Sequence, residues 1–378
     1  MDAFQGEPPF WPLADLKRLK LALPSRRRLS PPAEALVANP TGFVGVRTSG
    51  YADSELPCPC TGMSDQMRLQ PILALSGGGA SGAFGAGALV GLTKAGGRPE
   101  YRLVTGVSTG ALIAPFAFLG ADWDKRLTDA FTGVDATELI GLRALRPGVS
   151  GGLIPAAALE TLVARFVDTT LLEAIAEQHG RGRRLLVATT NLDTLRTPIW
   201  DMGAIAAQGG QAARELFVGV LAASASLPGL VAPRMIRVEA NGESFEEMHA
   251  DGGVASPLLL APAMLIPRAA ASKDGVKAEV HAIINTSLQP IFHAMPVSII
   301  PVLARSFDLM LAASYKAALR SAVELCERHD LALRVTSLPV DLGRAHWMRF
   351  DRRSMARTFE RGVEMGRSGS LWATAPGL

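Results

Sequence analysis

The sequence predicts an α/β fold, a three-layer α/β/α arrangement around a mainly parallel sheet, and three observations lead there. The 378 residues are 48% hydrophobic but only 6% aromatic, a balance weighted to Ala, Leu and Val that suits a parallel sheet covered on both faces by helices. Short, wholly apolar runs of strand length are followed by longer runs of helix length, the pattern of β-α units. Two of the junctions are glycine turns, Ser76-Gly77-Gly78-Gly79-Ala80-Ser81-Gly82 and Gly106-Val107-Ser108-Thr109-Gly110.

In chain order, residues 72–75 read as a buried strand that ends in the first glycine turn, and 83–95 as the helix after it. Gly85, Gly87 and Gly91 lower the propensity of that helix by about 1 kcal/mol each, so it is expected to press its backbone against a neighbour. Residues 103–105 form the next strand, which leads into Ser108, with 111–119 as the helix behind it. Residues 155–167 have apolar spacing at Leu159, Leu162, Val163 and Phe166, with Pro155 as a first-turn residue, and predict an amphipathic helix. Strands follow at 184–190 and 277–284, a long helix at 307–329, a last strand at 331–338 and a basic helix around 354–365.

Residues 1–70 contain nine of the 25 prolines and the run Arg26-Arg27-Arg28, and read as a loosely ordered basic extension of a domain spanning 71–378. Within the extension, 13–23 has the makings of a short basic amphipathic helix for peripheral contact with anionic lipid, although a solvated basic face accounts for the same residues. The overall charge of +3 provides no general polyanion surface, so nucleic acid is not an expected partner. Cys58, Cys60 and Cys326 are too few for a disulfide framework, and Cys58-Pro59-Cys60 lacks the second pair a zinc site needs, so no metal is expected. Neither a cleaved leader nor a membrane span of about 20 apolar residues can be drawn, which predicts a cytoplasmic or peripheral membrane protein.

The chemistry is concentrated in the turns. Gly106-x-Ser108-x-Gly110 has the spacing of a nucleophile elbow, in which flanking glycines remove the Cβ atoms that would clash as a strand turns sharply into a helix. Ser108 is therefore the candidate nucleophile. The amides of Gly77, Gly78 and Gly79, unobstructed at a helix N-terminus, are the candidate oxyanion donors for acyl transfer. Gly77, Gly79 and Gly82 also satisfy G-x-G-x-x-G, but Glu100 precedes the next strand where a dinucleotide site wants an acid at its end. No Lys-Ser or Lys-Thr follows the glycines, so a Walker loop fails as well. The six histidines, His179, His249, His281, His293, His329 and His346, all lie outside glycine-framed turns. Asp251, in His249-Ala250-Asp251-Gly252-Gly253, does lie in one and is the stronger candidate base.

G-G-G-x-x-G, then G-x-S-x-G, then D-G-G, in this order and on these elements, resembles the patatin-like phospholipase family. The run Leu221-Ala222-Ala223-Ser224-Ala225-Ser226-Leu227-Pro228 is similar to that family's small-residue helix ending in proline. The resemblance implies a patatin-like hydrolase domain that uses a Ser-Asp dyad without histidine: Ser108 as nucleophile, Asp251 as base and Gly77–Gly79 as oxyanion hole. It also implies a fatty-acyl ester of a lipid as substrate and no cofactor. Ser81 stands where the family often has Arg or Lys, so the positive charge usual near the oxyanion loop is missing. Two alternatives stay open at this level: an α/β-hydrolase esterase with a Ser-His-Asp triad, and a catalytically silent lipid-binding protein on the same scaffold.

Overall fold

A computed structural model describes residues 43–44, 71–133, 152–240, 243–260, 278–289, 294, 296–342 and 350–374. The strands are β1 (Phe43–Val44), β2 (Ile72–Leu75), β3 (Leu103–Val107), β4 (Gly152–Ile154), β5 (Arg184–Asn191), β6 (Ile199–Asp201), β7 (Gly229–Val231), β8 (Arg234–Ala240), β9 (Glu243–Asp251), β10 (Glu279–Ile284), β11 (Ala332–Ser337) and β12 (Ala373–Thr374). The helices are α1 (Ala83–Lys94), α2 (Thr109–Leu119), α3 (Asp124–Thr132), α4 (Ala156–Phe166), α5 (Thr169–Gly180), α6 (Met202–Gln208), α7 (Gly210–Ser224), α8 (Ile299–Arg328) and α9 (Arg352–Ser368).

The main sheet runs β1-β6-β5-β3-β2-β10-β11-β12, and β9 joins it by pairing with the end of β5. Its centre, β5-β3-β2-β10-β11, is parallel throughout, while β5–β6, β5–β9 and β11–β12 are antiparallel. Successive side chains of the buried central strands divide between two layers, as the period of two demands. Leu73, Leu75, Val104, Leu185, Val187 and Ile283 face one core with α1, α2, α5, α7 and α9. Ile72, Ala74, Leu103 and Val280 face Ala322 and Cys326 of α8 on the other side, and Ala282 and Ile284 face Tyr315 and Leu319. The expected three layers are present.

Strand order fixes where chemistry belongs. From β2 the chain steps to β3 and β5 on one side, and returns later to β10 and β11 on the other. The order therefore reverses at β2, and the crevice beyond the carboxyl ends of strands flanking such a point is where open α/β sheets bind ligands. The glycine turn follows β2, Ser108 follows β3 and Asn285 follows β10.

The long helix departs most from the sequence expectation, starting at Ile299 rather than near residue 307. Pro301 lies in its first turn, where a missing N–H leaves no intrahelical bond unmade. Helices α3, α5, α6 and α7 and the β8–β9 hairpin complete the domain. The glycine helix does press close to a neighbour: a Cβ on Gly87 would stand 2.0 Å from the Phe359 carbonyl oxygen of α9, and one on Gly362 of α9 would stand 2.2 Å from that of Phe84. The predicted division at residue 70 falls largely outside the described residues, as do the basic segment at 13–23 and the cysteine pair at 58 and 60.

Candidate active site

Ser108 sits between β3 and α2 with φ 56° and ψ −128°, a conformation rare for a side chain other than glycine and costing on the order of 1–3 kcal/mol. The surroundings hold it there. A Cβ on Gly106 would lie 2.6 Å from the Gly110 carbonyl, and one on Gly110 would lie 2.3 Å from that of Leu75, so the turn closes only with glycine at both places. The Ser108 N–H donates to Ser224 Oγ at 3.0 Å, and Ser224 Oγ donates to the Ala188 carbonyl at 2.7 Å. Helix α7, which carries Ser224, thereby ties the elbow to β5.

Asp251 ends β9. Its main chain is clamped on both sides: its N–H donates to the Ser226 carbonyl at 3.0 Å, and its own carbonyl accepts from Thr190 Oγ1 at 2.9 Å. The carboxylate is buried; Oδ1 accepts the Gly253 N–H at 2.7 Å and Oδ2 accepts the Ser108 hydroxyl at 2.5 Å. Burial pushes its pKa up to about 7, and the hydrogen bonds from Ser108 and Gly253 limit the rise. A carboxylate so placed is a far better proton acceptor at neutral pH than a solvated aspartate, while remaining in contact with the hydroxyl it would deprotonate.

The first glycine turn lies against this pair, since a Cβ on Gly77 would come within 3.7 Å of Ser108 Oγ. The sequence expectation treats Gly77, Gly78 and Gly79 alike, but the structure separates them. The Gly77 N–H donates to the Pro257 carbonyl at 3.1 Å, so it is already engaged. Among the described residues no acceptor takes the N–H of Gly78 or Gly79, which narrows the candidate oxyanion donors to these two. Asn285 anchors the turn: its N–H donates to Ser76 Oγ at 2.9 Å, its Nδ2 to the Ser76 carbonyl at 2.8 Å, and its Oδ1 accepts the Gly85 N–H at 3.0 Å. Tyr315 of α8 is buried beside Gly77; burial raises its pKa, so the phenol stays neutral. Ser81 is buried in the turn and lines the same cavity.

Sequence reasoning singled out Ser108, Asp251 and the glycines, and the structure brings them together. It did not single out Asn285 or Tyr315. A polar residue directly after the apolar strand 277–284 was the available signal for Asn285. Tyr315, within a helical run, offered none. Of the histidines, four lie among the described residues, and those with partners face other groups: His179 with Asp201, His249 with Thr189 and Glu247, and His281 with Tyr101 and Glu279. His329 caps the C-terminus of α8, and His293 and His346 lie outside the described residues.

Above the pair opens a cavity of about 1120 Å³ whose walls include Leu112, Phe116, Phe131, Leu159, Phe166 and Met355. It has the size and apolar lining of a site for a large, hydrophobic ligand. No cluster of three metal-binding side chains occurs among the described residues.

Fold and site together define an α/β protein with a serine on a strand–helix elbow, hydrogen-bonded to a buried carboxylate. The family model described as patatin-like phospholipase matches residues 73–264, just over half of the 378. The chain belongs to the patatin-like phospholipase family. Among solved structures, VipD from Legionella pneumophila is similar at 13% identity and a TM-score of 0.43, covering 80% of this chain and 66% of VipD. The type III effector protein ExoU is similar at 16% identity and a TM-score of 0.24, covering 78% of this chain and 54% of ExoU. No curated protein matches.

Proposed function

We propose that the protein hydrolyses fatty-acyl esters of lipids, phospholipids among them, by a Ser108–Asp251 dyad. The 2.5 Å hydrogen bond from Ser108 Oγ to the buried Asp251 Oδ2, at the base of an apolar cavity, carries the reading. Asp251, as carboxylate, takes the proton from Ser108 Oγ while the oxygen attacks the ester carbonyl. The oxyanion of the tetrahedral intermediate is held by the N–H groups of Gly78 and Gly79, fixed in advance by Asn285 and Ser76. Asp251 returns its proton to the departing alcohol as the intermediate collapses to an acyl-enzyme. Water then adds to the acyl carbon, Asp251 takes its proton, and Ser108 leaves protonated with release of the fatty acid. Asp251 relays every proton in this cycle, from Ser108 to the departing alcohol and from water back to Ser108, so the steps balance without a metal or organic cofactor.

The test is fatty-acid release from dispersed phosphatidylcholine and from a water-soluble short-chain ester, by the wild type and by Ser108→Ala. The wild type is expected to release acid from both and the variant from neither. A folded wild type that binds lipid but cleaves no acyl ester is the outcome that contradicts the proposal and returns the scaffold to lipid binding without turnover.

A further inference from the structure

We propose that the N-terminal half of α8 is the surface on which the protein lies against a lipid bilayer, with the mouth of the active-site cavity at that surface. This rests on the reading of Ser108 as the nucleophile toward a lipid acyl ester.

Residues 297–315 contain one Arg and one Asp, and these two, Arg305 and Asp308, pair with each other at 3.9 Å, so the segment is neutral. In a helix of a globular protein the apolar residues turn inward. The second half of α8 obeys this rule, with Tyr315, Leu319, Ala322 and Cys326 buried against the sheet. The first half does not: Ile299 is 78% exposed, Leu303 64%, Leu309 71% and Met310 68%, with Val297 and Val302 exposed beside them. That many large apolar side chains within a few turns exceed the scatter of single hydrophobic residues on ordinary surfaces and mark an interaction face.

Two observations identify a lipid surface as the occupant. The outward stripe through Val302, Ser306, Leu309 and Ala313 continues into Lys316 and Arg320, all exposed. A helix lying in the interface with such apolar side chains toward the acyl region sets Lys316 and Arg320 at the level of anionic head groups. The same helix also walls the cavity: Val302, Leu309, Ala312 and Tyr315 line the space that reaches Ser108 and Asp251. Val302 and Leu309 thus belong both to the exposed apolar face and to the lining of the cavity that reaches the nucleophile. A protein seated on α8 would cover this entrance, whereas a bilayer would supply acyl chains to it without passing them through water. Among the described residues no helix is long and apolar enough to cross a membrane, so α8 lies on the surface rather than through it.

The experiment uses the full chain carrying Ser108→Ala, so that vesicles survive, and adds Ile299→Glu, Leu303→Glu and Met310→Glu together, none of which lines the cavity. Flotation with phosphatidylcholine–phosphatidylglycerol vesicles is expected to show at least about a tenfold fall in bound protein. With Ser108 restored, the same triple variant should hydrolyse a soluble short-chain ester within about twofold of the wild-type rate. Lys316→Glu with Arg320→Glu should weaken binding to anionic vesicles at low salt and leave pure phosphatidylcholine vesicles unaffected. Should the triple variant misfold, Leu303→Cys bearing an environment-sensitive fluorophore, with Cys58 and Cys60 replaced by Ser, reads insertion directly as a blue shift on adding vesicles. Unchanged flotation, an unshifted label, or a dimer that the triple variant dissociates without loss of vesicle binding would each overturn the inference. Failure of the two readings is separable. A label that enters the bilayer on a protein that cleaves no lipid breaks only the hydrolase proposal. A label that stays in water on a protein that cleaves dispersed lipid breaks only the docking surface.

Discussion

Glycine is forced by crowding in two regions of this protein, the α1–α9 helix pair and the turns around Ser108, and the crowding is equally severe in both. A Cβ on Gly87 or Gly362 would stand 2.0 or 2.2 Å from a carbonyl oxygen of the facing helix; on Gly110 or Gly252 the corresponding distances are 2.3 and 2.4 Å. The difference lies in what the close approach brings together. Between the helices it joins backbone to backbone inside an apolar core, with Phe84, Phe359 and Val363 around it. At the turns it sets a hydroxyl against a buried carboxylate, beside a glycine turn that a buried amide side chain holds in place. Steric demand for glycine alone does not mark a functional site. The demand together with polar side chains buried at the turn does.

Substitutions on the two sides of this comparison should separate cleanly. Ser108→Ala should lower ester hydrolysis by at least about 10³-fold, since it removes the covalent route altogether. Its circular dichroism should remain that of the wild type. Asp251→Asn should lower kcat by about 10²- to 10⁴-fold, the range of a lost general base, whereas the α1–α9 changes Gly87→Ala and Gly362→Ala should leave kcat per folded molecule unchanged. Those helix changes should instead destabilise the protein by about 1–3 kcal/mol each through overpacking, measured by denaturant unfolding. A loss of kcat in Gly87→Ala at full folding would break the comparison by coupling the scaffold glycines to the chemistry.

Asp251 sharpens the contrast because its position opposes stability. Its carboxyl titrates near 3.8 when unfolded but is raised to about 7 when folded. Between these values the folded protein holds more protons than the unfolded, so this group makes stability fall as pH rises through that window. Asp251→Asn should therefore melt at a higher temperature than the wild type at pH 8, with the difference vanishing below about pH 4. For the wild type, kcat/KM on a soluble ester should rise with pH to a plateau above about 7, as the base ionises, and Asp251→Asn should lack that limb. The smallest effect is expected in the extension. Replacing Lys17, Arg18, Lys20, Arg26, Arg27 and Arg28 by Gln should slow turnover only on anionic vesicles at low salt, by an amount that shrinks as salt is added.

The parts of this design that were legible in the sequence are those whose constraint is local. A strand that must turn into a helix within a few residues demands glycines around Ser108, and Asp251 needs its own glycine turn, so both leave spaced motifs. The alternation of buried strands and helices gave the layers in the same way. Asn285 and Tyr315 act on the glycine turn from distant elements, through side chains unremarkable in their own segments, so no local pattern announces them. The early start of α8 was hidden because Pro301 reads as a helix breaker unless its first-turn position is known. That Gly77 is engaged by Pro257 depends on a loop that only the fold brings alongside.

Labelling with a fluorophosphonate, followed by peptide mapping, tests the dyad most directly, because the probe reacts with an activated serine whatever the lipid substrate. The account predicts one adduct, on Ser108, forming faster as pH rises through about 7, and slowed by about 10²-fold or more in Asp251→Asn. An adduct on another serine, or undiminished labelling of Ser108 in Asp251→Asn, would contradict it.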